Sequence, residues 1–166
     1  MTIQKINNFE NPIFDNYISE LNRIYASEIF FKIELSCEEF WTEFTKYIFK
    51  NVTTKDFSIE NLKKSISLKI SDTNGISKNY IITEFEENKS IELTNLNSNE
   101  TVLTKIYVRT SSKSKNTSVW YLESKRTVEE IDKKTHKKRQ NTFNARVINK
   151  VILLKDYLLN KVRDYK

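Results

Sequence analysis

Residues 142–165, TFNARVINKVILLKDYLLNKVRDY, set the terms on which the rest of the chain folds. Phe143, Val147, Ile148, Val151, Ile152, Leu154, Leu158, Leu159 and Val162 recur at three- and four-residue spacing, which is a broad apolar stripe on a helix. From Thr142 to Tyr165 that helix runs ~36 Å. A stripe of this width needs an apolar partner of similar span, and the residues upstream offer one.

Those residues read as strands. Ile66, Leu68 and Ile70 alternate with Ser67 and Lys69 and run into Asn74-Gly75, a strong hairpin signal. The return strand covers 79–85 and turns at Glu87-Asn88-Lys89 into Ile91-Glu92-Leu93. After a turn at 95–99 come strands over 101–110 and 118–126, separated by the polar segment Ser111 to Asn116. Asn does the turn work that Gly does elsewhere, because its short polar side chain tolerates the left-handed conformation. Earlier in the chain, Ile29, Phe31, Ile33 and Leu35 share one face of a strand. Six strands span roughly 24–29 Å at ~4.8 Å spacing, so the C-terminal helix is long enough to cross the whole sheet.

Two further helices are expected. Ser36-Cys37-Glu38-Glu39 is a capping box, in which hydroxyl and carboxylate reciprocally satisfy exposed backbone donors. The helix it opens carries Phe40, Trp41, Phe44, Tyr47 and Ile48 on one face and ends near Asn51, and a short helical turn follows at 58–62. Asn11-Pro12 begins another over 12–26, with Phe14, Tyr17, Ile18, Leu21, Ile24 and Tyr25 at helical spacing. The expected fold class is α+β: an antiparallel sheet of about six strands curled around a long C-terminal helix, with an extra N-terminal helix. No repeat or Pro/Gly-rich linker suggests a second domain. Residues 1–166 are read as one domain, with 1–27 as an N-terminal extension and 28–166 as its core.

Composition narrows the setting. The chain is 38% hydrophobic with 10 Phe, 8 Tyr and 2 Trp, which supports a core, and 30% charged, which suits a soluble protein. No apolar run approaches the ~20 residues of a membrane span, and the first residues do not resemble a secretory signal. Cys37 is the only cysteine, so a reducing, cytoplasmic location is expected. The net charge of +6 comes from a basic set rich in Lys and poor in Arg, a weak argument for phosphate contacts. Its distribution says more. Residues 105–150 hold 13 Lys/Arg against 4 Asp/Glu, a local +9, leaving −3 for the remainder.

The order strand, helix, short helix, antiparallel run, long C-terminal helix resembles the START-like (SRPBCC) helix-grip superfamily. The stretch Ile81-Ile82-Thr83-Glu84-Phe85-Glu86-Glu87-Asn88-Lys89-Ser90-Ile91-Glu92-Leu93 looks similar to a strand-turn-strand in an uncharacterised bacterial branch of it. Ser58 to Lys64 looks like the segment before that branch's second strand. The resemblance covers about residues 28–165. It implies a sheet curled around one long helix and the binding of lipids, hormones or other hydrophobic molecules. Members also serve as co-chaperones, cyclases or hydratases, and no residue role carries over from these. Two departures, six strands where seven are usual and a basic excursion before the last helix, argue against a fully closed cavity.

Chemistry is sparse. His136 is the only histidine, so no zinc site can be built on two of them, and Cys37 lacks a ready catalytic partner. Cys37 is read as a filler in the first turn of its helix, and His136, among Lys133, Lys134, Lys137 and Lys138, as a solvated loop residue. Glu84, Glu86 and Glu92 are read as polar positions on an exposed sheet face rather than a catalytic pair. A chain with one glycine has no Gly-rich phosphate loop. No cofactor or metal is expected, and no enzymatic activity.

Two binding features remain. Ile106, Val108, Trp120 and Leu122 are placed on the inner face, where with Val151 and Leu154 they either line a ligand pocket or fill the core. Lys133, Lys134, Lys137, Lys138 and Arg139 form a run able to meet nucleic acid or an anionic membrane surface, or simply a mobile, solvated loop. The expected function is therefore non-catalytic binding of a small hydrophobic molecule or a protein partner. The alternative is a basic accessory protein docking nucleic acid or anionic lipid through residues 133–139.

Overall fold

Ser36 caps the first helix as its sequence predicts. Its hydroxyl accepts from the Glu39 backbone N–H and the Glu39 carboxylate accepts from the Ser36 N–H, satisfying donors a helix start leaves open. The computed structural model describes residues 22–72 and 74–166. Among them, strand β1 (Asn22–Ile33) precedes helix α1 (Cys37–Ile48) and a single 3-10 turn (Ile59–Asn61). Strands β2 (Ser67–Ser71), β3 (Ser77–Glu86), β4 (Ser90–Leu96), β5 (Val102–Lys113) and β6 (Asn116–Val128) follow. Helix α2 (Lys133–Val162) runs into a final 3-10 turn (Arg163–Tyr165).

All neighbouring strands are antiparallel, in the order β1-β6-β5-β4-β3-β2. The consecutive strands β2 to β6 form a meander, and β1 closes onto the last of them with Phe31 opposite Val119 and Tyr25 opposite Lys125. Turn chemistry does the joining. Asp72 accepts from the Asn74 and Ile76 N–H groups around Gly75 (φ 78°), and Asn88 takes φ 54° between β3 and β4. Elsewhere the left-handed position falls to Glu100 and Ser114 instead of an asparagine.

One face of the sheet, the inner face, is closed by both helices. Phe40, Trp41 and Phe44 of α1 pack with Phe31, Ile82, Ile91, Leu93, Val108, Val119 and Tyr121, and with Val147, Val151, Leu154 and Leu158 of α2. Trp41 also donates its indole N–H to Thr110 Oγ1 at 2.8 Å. The backbone of α2 approaches β1 most closely, then α1, while its buried side chains share one core with Ile82, Leu93 and Val108 of β3, β4 and β5. The sheet is wider than one helix, and α1 covers part of the remainder.

Several expectations are corrected. Residues 22–26 belong to β1, not to a helix over 12–26, because their backbone pairs with β6 as far as Asn22 opposite Val128. The rest of that helix lies outside the described residues, and the sheet core begins before residue 28. Residues 133–141 are not a loop: α2 starts nine residues before the expected helix start at Thr142. Asp132 caps it by accepting from the Thr135 N–H, and Gln140 bonds both backbone groups of Ala26 on the edge of β1. The stripe itself is only partly used. Phe143, Val147, Val151, Leu154, Leu158 and Val162 are buried, whereas Ile148, Ile152 and Leu159 stay 44%, 51% and 47% exposed. Trp120 and Leu122 lie on the outer face, where they cluster with Tyr107.

Candidate functional site

Alternation along β6 places Val119, Tyr121, Glu123, Lys125 and Thr127 on the inner face. The first two are core. Polarity then rises toward the end of the strand, just where the chain turns through 129–132 into α2. Glu123, 2% exposed, accepts from the Tyr121 hydroxyl at 2.9 Å and from Lys150 Nζ at 2.9 Å. Burial first, then the Glu123 charge and hydrogen bond, push the Tyr121 hydroxyl well above its ordinary pKa.

Beyond Glu123 the helix and sheet diverge and leave an open cleft of about 490 Å³ between β1, β6 and the first half of α2. Tyr25 and Phe143 form its floor, nearly buried at 3% and 5% exposed, with ring centroids 6.2 Å apart. His136 rests on the other side of Tyr25 at 4.9 Å, so it is a half-buried helical residue rather than a loop residue. Three threonines, Thr127, Thr135 and Thr142, add hydroxyls. Four cations, Lys125, Lys138, Arg139 and Arg146, face one carboxylate, Glu129.

Glu129 is fully engaged. It accepts from Tyr25 at 2.8 Å, from Thr127 at 3.0 Å, and from Arg139. Burial alone would raise its pKa, but the bonds from Arg139, Tyr25 and Thr127 outweigh this and hold it below the usual range. Lys125 shows the opposite balance. Burial lowers its pKa, the Arg146 charge lowers it further, and Glu129 offsets this only in part. Arg146 lies 5.3 Å from the Phe143 ring centroid, a cation–π distance.

The sequence-derived candidates divide. Ile106, Val108, Val151 and Leu154 do meet in one cluster under the helix, but none of them lines this cleft. Trp120 and Leu122 are directed to the other face and cannot join them. Of the basic run, Lys138 and Arg139 line the cleft, while Lys133, Lys134 and Lys137 are exposed on α2 outside it. Tyr25, Lys125, Thr127, Glu129 and Arg146 were not foreseen. The signal was present: ionisable residues at alternate, inward positions of a strand mark where a core gives way to a polar cavity.

The other candidates hold structure together. Cys37 Sγ lies 2.8 Å from the Asn88 carbonyl oxygen, tying the start of α1 to the β3–β4 turn. Glu92 is on the outer face but buried rather than exposed, accepting from the Thr83 hydroxyl at 2.7 Å with Lys105 Nζ at 3.8 Å. Among the described residues no helix is long and apolar enough to cross a membrane, and no group of three His, Cys, Asp or Glu is placed to hold a metal.

No known family matches the chain, and no curated protein does. Solved structures do. A Staphylococcus aureus protein of unknown function, SA2116, superposes with a TM-score of 0.65 at 12% identity, over 87% of this chain and 96% of that one. The Aha1 dimer from Colwellia psychrerythraea gives 0.55 at 18% identity, over 81% and 96%. CalU16 from Micromonospora echinospora gives 0.56 at 8%, over 82% and 85%. At such identities the likeness is one of backbone architecture, and the chain shares with these proteins a helix-grip-like fold.

Proposed function

We propose that this protein is a non-catalytic START-like domain that binds a small molecule in the cleft between β1, β6 and the first half of α2. The observation that carries the reading is the cleft itself. Its volume of about 490 Å³ falls within the ~300–1,000 Å³ usual for small-molecule sites. Polar and charged groups converge on it over a floor of two nearly buried aromatic rings, and convergent polar groups are what orient a ligand in such sites. The helix-grip-like fold supports it, since in this chain the sheet and the long helix leave open space between them here. Catalysis is not proposed, because Glu129, the cleft's only carboxylate, is committed to three hydrogen-bond donors. A cytoplasmic location accompanies the proposal, as does a small ligand in preference to a protein partner.

The neutral fluorophore N-phenyl-1-naphthylamine tests it. The probe should bind with enhanced emission, and Thr142→Trp, which fills the cleft from the exposed side of α2, should weaken it at least about fivefold. Unchanged binding by a Thr142→Trp protein that melts like wild type overturns the site. Nucleic acid or anionic lipid docking on residues 133–139 is the competing outcome. It predicts binding to labelled DNA or anionic vesicles that collapses as salt rises.

A further inference from the structure

We infer that residues 1–21, which precede the described part of the chain, dock on the outer face of the sheet over β4, β5 and β6. This surface is independent of the cleft, which opens on the opposite face.

Strand pairing arranges the outer side chains in rows. Glu92, Tyr107 and Leu122 form one row, and Thr94, Lys105 and Ser124 form the next. These six are only 1–5% exposed. Both described helices pack on the other face, with Val108, Val119 and Tyr121, so no described helix or strand lies over the rows. The burial also has a boundary. In the neighbouring row Trp120 is 6% exposed, but Phe30, stacked beside it on β1, is 69% exposed, and Arg109 is exposed too. A bare sheet face would be wet along its whole length. This one is dry toward the end where β1 begins.

The side chains are closed to solvent within a single chain, so their cover belongs to that chain. Apart from Thr73, between β2 and β3, only residues 1–21 lie outside the described set. They enter the sheet at Asn22, opposite Val128, at its dry end. Reach is ample: even at helical rise 21 residues run ~30 Å, against ~14 Å from β1 to β4. Composition fits as well. Phe9, Ile13, Phe14, Tyr17, Ile18 and Leu21 offer apolar area to the Tyr107–Trp120–Leu122 cluster, which left open would be a patch prone to association. Charge is complementary. The segment carries one lysine against Glu10, Asp15 and Glu20, a formal −2, while the buried face carries Lys105 and Arg126 against Glu92, a formal +1. Cations so deeply buried need polar or anionic neighbours.

Trp41 and Trp120 are the only tryptophans and lie on opposite faces, so each face has its own reporter. A nitroxide is attached at Asn16→Cys in the full chain carrying Cys37→Ser, with either Trp41→Phe or Trp120→Phe. It should quench most of the Trp120 emission and leave Trp41 at its unlabelled intensity. Without the label, Trp120 should be protected from acrylamide equally at low and high protein concentration. Phe14→Asp combined with Ile18→Asp should open Trp120 to acrylamide while Trp41 stays protected. If that variant unfolds and exposes both tryptophans, the nitroxide result decides alone. Nitroxide quenching of Trp41 rather than Trp120, or of neither, overturns the inference. So does Trp120 protection that appears only as concentration rises, which would make the occupant a second copy, or protection that persists in a folded Phe14→Asp, Ile18→Asp chain.

Discussion

Replacing Glu43 by alanine tests how the C-terminal helix is fastened. Glu43 is on α1 and only 5% exposed. Its two oxygens accept from the Tyr157 hydroxyl at 3.0 Å and the Tyr165 hydroxyl at 2.9 Å, with Lys46 Nζ at 3.6 Å. A hydrogen bond to a charged group contributes ~1.5–3 kcal/mol. Both phenols are half-buried and regain some water in the variant, so Glu43→Ala should cost about 3 kcal/mol. With an m-value of ~1–3 kcal/mol/M for urea, the midpoint falls by about 1–3 M. Tryptophan fluorescence reads the transition, since Trp41 is buried two residues away on α1. A cycle with Tyr157→Phe should give a coupling of about 1–2 kcal/mol.

The sign with pH follows from the shifts. Burial would raise the Glu43 pKa, but the Tyr165 and Tyr157 hydroxyls, helped by Lys46 and Lys161, hold it below its usual value. Its stabilisation is therefore complete above the unfolded-state pKa of ~4.3 and is lost as pH falls through the lower folded value. Burial and then the bond to Glu43 push Tyr157 up to about 12. Its share is complete below pH ~10 and is lost as pH rises from there toward about 12. A coupling under about 0.3 kcal/mol at neutral pH would refute this account of how α2 is attached.

Trp41→Ala should cost ~3–5 kcal/mol by the same urea assay, since the indole is buried between Phe40 and Phe44 and bonded to Thr110; a loss within ~0.5 kcal/mol would remove α1 from the core. Leu154→Ala should cost ~2–5 kcal/mol, and Leu154→Asp should leave the chain unfolded or aggregated, because the charge has no buried partner; circular dichroism melts decide it. Asp132→Ala should destabilise by ~0.5–2 kcal/mol and make the start of α2 the first site of trypsin cleavage, whereas wild type should resist there.

Local rules made much of the fold legible. The Ser36–Glu39 capping box and the Asn74-Gly75 turn act within four residues of themselves, and the structure uses both as read. Alternation found all six strands. It failed where one pattern fits two structures. Ile24 and Tyr25 suit a helix by spacing, yet pairing with β6 makes them strand. Residues 133–141 carry no apolar period, so their helix was invisible to a hydrophobic reading, although Asp132 three residues before Thr135 is a legible cap.

What the sequence determined by itself was the order and type of elements, and hence an antiparallel sheet closed by a long helix. Those follow from dihedral preferences and from the period of apolar side chains, which are properties of neighbouring residues. The tertiary structure decided which face is which. Residues 119–122, Val-Trp-Tyr-Leu, are apolar at both parities, and only the helices packing on Val119 and Tyr121 exclude Trp120 and Leu122 from that side. It also decided the site. Tyr25, Lys125 and Arg146 meet because β1 returns to pair with β6 and α2 passes over both. A charge-lined cleft made of such distant residues exists only once the chain has closed on itself.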